Sequence, residues 1–174
     1  MSSAIQEDPV AVNASQTINA PVDKVIETFT DEAFNRHVAE RGGATLVSQS
    51  VEGDTSGPFK VTIVRSMGAE KLPEMAQKFV KGGLTVTQVD TWSGPRENGS
   101  RDVQTEVSVG GMPVSGSGTQ TLAAKGETTD VVVDVTVKAN VPLVGGKLAA
   151  MAEPYVGKAL SLQSREADAW IASH

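Results

Sequence analysis

The sequence predicts an α+β fold: an antiparallel sheet of about six to seven strands covered by one long C-terminal helix, with two short helices after the first strand. Three observations predict it. Val144 to Ile171 keeps a helical period of three and four along its length, the middle of the chain changes to a period of two, and the connections there are short turns. Such connections favour antiparallel neighbours, because a parallel crossover needs a dozen or more residues.

Taken in order, Met1 to Asn13 is small and polar and is expected to be a flexible lead-in, with a single domain over residues 14–174. Ser15 to Ile18 reads as a short strand. Asn19-Ala20-Pro21 opens a helix with proline in its first turn, where a missing N–H costs little. Val22, Val25, Ile26 and Phe29 then share one face of two helical turns. Thr30-Asp31 caps a second helix from Glu32 to Arg41, with Phe34, His37 and Val38 on its buried side, and Gly42-Gly43 ends it.

Thr45 to Val51, Phe59 to Ser66, Leu84 to Trp92, Val103 to Val109, Val114 to Leu122 and Val131 to Ala139 read as strands rich in Val and Thr. Turn signals such as Glu52-Gly53-Asp54, Glu97-Asn98-Gly99 and Lys125-Gly126-Glu127 separate them. One longer connection, Gly68 to Gly83, has room for a short helical excursion between two strands. Alternation assigns Phe59, Val61, Ile63 and Arg65 to one face, with Val103, Thr105 and Val107, and Val131 to Val137 in steps of two, forming others. Lys60, Asp102, Glu106, Asp134 and Lys138 fall on the opposite, polar side. The set holding Gly116 and Gly118 also holds Leu122; pointing inward, it would bring bare backbone to the interior, for close helix approach or for an open cavity.

The terminal helix carries Val144, Leu148, Met151, Tyr155, Ala159 and Leu162 on one stripe, widened by Ala152, Val156 and Leu160. A helix of about 25 residues is roughly 38 Å long, so a broad apolar surface must lie beneath it. Pro154 removes one donor and crowds the carbonyl of Ala150, so a kink is expected, either as a wrap around the sheet or as a setting for the width of a pocket.

Composition excludes several classes. With 174 residues, 39% hydrophobic, the chain suits one domain with a substantial core. A net charge of -6 with dispersed basic residues argues against nucleic acid as a partner. The absence of cysteine removes disulfides, thiolate metal sites and a Cys nucleophile. No segment approaches a membrane span or a signal peptide, so a cytoplasmic protein without stable membrane insertion is expected. No serine-nucleophile elbow, phosphate-binding loop or metal-ligand spacing occurs, and no catalytic residue, cofactor or metal is assigned.

The order strand, two short helices, a run of strands and a long helix resembles the START-like superfamily, the helix-grip type that includes pollen allergens, lipid-transfer domains and polyketide cyclases. Ile18-Asn19-Ala20-Pro21-Val22-Asp23-Lys24-Val25 resembles its strand-to-helix opening, and Gly145-Gly146-Lys147-Leu148 the entry to its closing helix. Leu72-Pro73, the strand ending at Trp92, and Arg165-Glu166-Ala167-Asp168-Ala169-Trp170-Ile171 look like an uncharacterised actinobacterial branch. The resemblance spans about Ala14 to Ile171. It implies a curved sheet gripping the helix, with a pocket between them for a hydrophobic or amphipathic small molecule such as a lipid, isoprenoid or polyketide. A cyclase- or dehydratase-like enzyme using the same pocket, and a protein-interaction module with a filled core, are the alternatives.

Within that frame, the candidate ligand-binding residues are Tyr155, Met151 and Leu148 on the helix, Ile63 and Arg65 on one strand, Trp92 at the end of another, and Gly116 and Gly118. Tyr155 either offers its hydroxyl to the cavity or packs with the hydroxyl at the rim. Arg65 either holds a ligand carboxylate or phosphate or curls into solvent. Trp92 either lines the cavity mouth or staples the sheet end. His37 is a pocket acid or base, or a rim residue. Met67, Met75 and Met112 are a soft lining or ordinary core, and Trp170 with Ile171 locks the helix to the sheet.

Overall fold

A computed structural model describes residues 10–72, 74–78, 80, 82–141 and 145–174, and the side chains of Val10, Met75, Ala76, Leu148, Ala152 and Val156 are also outside the description. The elements are β1 (Val10–Ile18), α1 (Val22–Phe29), α2 (Glu32–Arg41), β2 (Thr45–Gly53), β3 (Phe59–Met67), α3 (Glu74–Gln77), β4 (Leu84–Trp92), β5 (Arg101–Gly110), β6 (Val114–Lys125), β7 (Thr128–Ala139) and α4 (Gly145–Ser173). All seven strands form one antiparallel sheet in the order β1-β7-β6-β5-β4-β3-β2. This is the helix-grip architecture: an open sheet, two short helices after the first strand, and a terminal helix of 29 residues.

The two short helices begin and end where expected. Pro21 is the N-cap of α1, and the Asp31 carboxylate accepts from the Ala33 N–H at 2.9 Å at the start of α2. The first strand begins earlier than the sequence suggests. Val10 to Asn13 read as part of a polar lead-in, but here they pair with β7, and Val12 is buried against the core. Ladder hydrogen bonds to the Val-rich β7 outweigh the weak strand preference of Asn13, Ser15 and Gln16. The long connection contains a 3₁₀ turn, Ala69–Lys71, and the single helical turn of α3. Val144 and Pro73 lie outside the described residues.

Register aligns the inward side chains into rows. Ile63, Gln88, Val107, Gly116 and Val137 stand opposite one another across five strands, and the next row is Val61, Asp90, Thr105, Gly118 and Val135. Beyond it lie Phe59, Trp92, Val103, Gln120 and Val133. That last end is solid. Phe59 and Trp92 stack at 5.0 Å, and Arg101, 2% exposed, lies over both rings. Its guanidinium donates to the carbonyls of Ser93, Thr55 and Gly57, which pins the loops at this edge.

α4 packs mainly along β1 and β7 and reaches α1 and α2. Its C-terminal end is tied down by polar and aromatic contacts. Asp168 accepts from the Asn19 backbone N–H at 2.8 Å, and Trp170 meets Phe34 edge-on at 5.7 Å. Trp170 therefore locks the helix to α2 rather than to the sheet. Pro154 lies within α4 and is exposed.

Gly118 has a specific cause. A Cβ there would lie 2.7 Å from the Val135 Cα and 2.9 Å from the Asp134 carbonyl carbon, so the backbones of β6 and β7 leave no room for one. A Cβ at Gly116 would instead make an ordinary contact of 3.4 Å with a Val135 methyl. Gly118→Ala is expected to destabilise the fold by about 1–3 kcal/mol, and Gly116→Ala by less. Urea unfolding of the two variants measures the difference, and equal losses would refute the close-approach account.

Candidate ligand-binding site

The half of the inward face opposite the Phe59–Trp92 end is hollow. A cavity of about 670 Å³ lies between β3 to β7 below and α2 and α4 above. Its floor is made by Val86, Val107, Val109, Val114, Val135 and Val137, and Met67, Met112 and Met151 add thioethers. Short β-branched side chains and Gly116 leave this half open, whereas Phe59 and Trp92 stack and are buried in the other half of the same face.

Each candidate residue has a definite place. Arg65, Gly116, Met151 and Tyr155 line the cavity. Tyr155 is 49% exposed, so it stands at the mouth with its ring partly in solvent. Ile63, Trp92 and Gly118 are not among the lining residues. Ile63 is fully buried beside them, Trp92 is a stacked core residue at the solid end, and Gly118 lies one row deeper, against β7 backbone. Leu148 is in α4, but its side chain is outside the described residues. Met67 and Met112 join Met151 in the lining, while the Met75 side chain is outside the description.

Arg65 turns inward rather than into solvent. Its Nη1 donates to Gln88 Oε1 at 3.0 Å, and Gln88 Nε2 donates to Asp90 Oδ2 at 2.8 Å. The Thr105 hydroxyl donates to Asp90 Oδ1 at 2.8 Å and accepts from Gln120 Nε2 at 2.8 Å. Four strands thus carry one buried hydrogen-bond chain whose donors converge on Asp90. Asp90 is 6% exposed, and burial raises its pKa above the ordinary 3.8, opposed by the hydrogen bonds from Thr105 and Gln88 and by the charge of Arg65. Both carboxyl oxygens act only as acceptors, the arrangement an ionised carboxylate satisfies. Burial lowers the Arg65 pKa, and the Asp90 charge opposes that shift.

Sequence reasoning missed Gln88, Asp90 and Gln120. The signal was available: Leu84, Val86, Gln88, Asp90 and Trp92 occupy alternate positions of one strand, and two polar residues inside an apolar set mark a buried network. The part played by α2, whose Val38, Ala39 and Arg41 line the cavity, had no sequence signal because it depends on how the helix docks.

His37 does not line the cavity. Its Nε2–H donates to Glu166 Oε2 at 2.9 Å, and Arg41 Nε donates to Glu166 Oε1 at 3.0 Å, joining α2 to α4 beside the cavity wall. The His37 hydrogen bond is the main cause that holds the Glu166 carboxyl below its ordinary 4.5; burial opposes it, and the hydrogen bond and charge of Arg41 add to the lowering. The stabilising contribution of this carboxyl is complete above 4.5 and is lost as pH falls through the lower folded-state value. The stability difference between the native chain and Glu166→Gln is therefore expected to shrink on acidification below 4.5. Urea unfolding of both proteins across that range measures it, with the contribution of Asp90 cancelling in the comparison; a constant difference would refute the coupling.

A family model described as "Protein of unknown function (DUF2505)" matches residues 13–171. No curated protein matches the chain. Among solved structures, the chain is similar to the Zhui aromatase/cyclase from Streptomyces sp. R1128, with 13% identity, a TM-score of 0.56, and 94% of this chain and 96% of that one covered. A START superfamily protein from Mycobacterium smegmatis matches with 11% identity and a TM-score of 0.54 over 94% and 97%. A STAR-related lipid transfer protein from Xanthomonas axonopodis matches with 12% identity and a TM-score of 0.51 over 89% and 84%. Identities this low establish a shared START-like fold and nothing finer.

Proposed function

We propose that this chain, which belongs to the family described as "Protein of unknown function (DUF2505)", binds a hydrophobic or amphipathic small molecule between its sheet and its terminal helix, as a carrier or sensor. The observation that carries the reading is the cavity. Its volume of about 670 Å³ falls within the range of roughly 300–1,000 Å³ usual for small-molecule sites. Its walls are mainly Val, Leu, Met and Ala, with polar groups restricted to a few points. Aliphatic walls reward burial of an apolar ligand by about 25 cal/mol per Å² and set little directional preference, so the class of ligand is a chain or ring system rather than a sugar or nucleotide.

The interaction-module alternative assumed a filled core, and the cavity removes that support. The cyclase-like alternative needs a residue that moves a proton; the buried Asp90 is not among the lining residues and has both oxygens engaged, and His37 is held by Glu166 away from the lining. Ligand binding is the reading the geometry favours. A lipid-transfer protein and an aromatase/cyclase among the similar folds agree with an apolar cavity of this kind.

Native mass spectrometry and organic extraction of the purified protein are expected to reveal a bound apolar compound, and a panel of fluorescent lipids is expected to bind saturably. Ala159 lines the cavity from the exposed side of α4, so Ala159→Trp is expected to fill space without straining the core. Lipid affinity should fall by about tenfold or more, a loss of ~1.4 kcal/mol, while the thermal midpoint stays near that of the native chain. Unchanged affinity, together with nothing extracted, would refute the reading.

A further inference from the structure

We infer that the ligand is an anionic amphiphile whose carboxylate or phosphate head is held at the cavity mouth by Lys158 and Arg165 while its apolar tail runs inward. This inference rests on the ligand-binding reading above and deepens it. The first observation is the sign of the charges. Arg41, Arg65, Lys158 and Arg165 line the cavity, and among the described residues no carboxylate lines it. The chain has 21 acidic residues against 15 Lys and Arg, so a cavity with cations alone runs against its composition.

The second observation separates the four cations. Arg41 is paired with Glu166, and Arg65 is hydrogen-bonded to Gln88 and faces the Asp90 charge. Lys158 and Arg165 make no ion pair or side-chain hydrogen bond among the described residues. Both are exposed, and they stand seven residues apart on α4, two turns along the same face, with the cavity residue Leu162 between them. Tyr155, one turn before Lys158, adds a phenolic O–H at the same mouth. The acidic groups of this end of the helix are committed elsewhere: Glu166 to His37 and Arg41, Asp168 to Asn19.

These facts orient the ligand. At the floor, the guanidinium of Arg65 is balanced by Asp90 through Gln88, so an incoming anion would meet a nearly neutral pair. At the mouth, two unbalanced cations and a hydroxyl meet an anion with charge-assisted hydrogen bonds and without a full desolvation cost. The head therefore stays at the rim and the tail takes the Val- and Met-lined floor.

Isothermal titration of the purified chain with dodecanoate, dodecyl phosphate and dodecanol at low salt tests the assignment. The anions are expected to bind about tenfold or more tighter than dodecanol, with the stronger of the two identifying the head as carboxylate or phosphate. In the double variant Lys158→Gln, Arg165→Gln that preference should vanish while the dodecanol affinity stays within about twofold, and added salt should weaken only the anions. Equal binding of dodecanol and the anions by the native chain would overturn the head-group assignment and leave the cavity reading standing, as would an anion preference that survives in the double variant. Failure of all three probes to bind would overturn both.

Discussion

The attachment of α4 to one side of the sheet is the constraint on which the rest of the molecule depends. A helix of 29 residues lies along β1 and β7, the strands that bring the two ends of the chain together, and does not press down across β3 to β6. At its C-terminal end, Glu166, Asp168 and Trp170 fasten it to α2 and to the start of α1. Gly157, without a side chain, sits over Val12 of β1, where an added Cβ would come within 3.7 Å of a valine methyl. Held along one edge and at one end, the helix bridges the remaining strands and leaves space beneath itself.

What fills or empties that space is the size of the residues that register brings into each row. At one end, Phe59, Trp92, Leu122 and the Arg101 clamp make a solid core continuous with α1. At the other, valines and Gly116 leave a cavity of about 670 Å³ between the sheet and the helix. A single sheet face thus carries both the stability of the domain and its cavity, with the hydrogen-bond chain from Arg65 to Gln120 at the boundary. Burying a carboxylate and a guanidinium there costs free energy that their mutual attraction only partly offsets. The chain of four hydrogen bonds leaves the Asp90 oxygens satisfied and gives the boundary a fixed geometry.

The similar solved structures share this architecture at 11–13% identity, which shows how little of the chain the fold constrains. In this chain the architecture is built from strand-forming residues in alternation, a helix after β1 with Pro21 at its N-cap, and a closing helix of 29 residues. Among the described residues that line the cavity, the charged ones are Arg41, Arg65, Lys158 and Arg165.

The sequence by itself determined the fold class, the two short helices, the Asp31 cap and the six strands after them, because period, turn residues and caps are local properties of the chain. It also put Arg65 in the alternating set of Phe59, Val61 and Ile63 and Met151 with Tyr155 on one stripe of the helix, but left open whether Gly116 pointed inward and whether Arg65 curled into solvent. Tertiary structure decided the rest. Whether Gly118 opens a cavity or admits a neighbouring strand depends on the β6–β7 spacing, and Trp92 became core rather than mouth because register stacked it on Phe59. Strand β1 grew to Val10 because β7 was there to pair with it. The cavity itself is a difference between helix height and side-chain reach, and no local pattern encodes such a difference; it exists only once the helix has docked on β1 and β7.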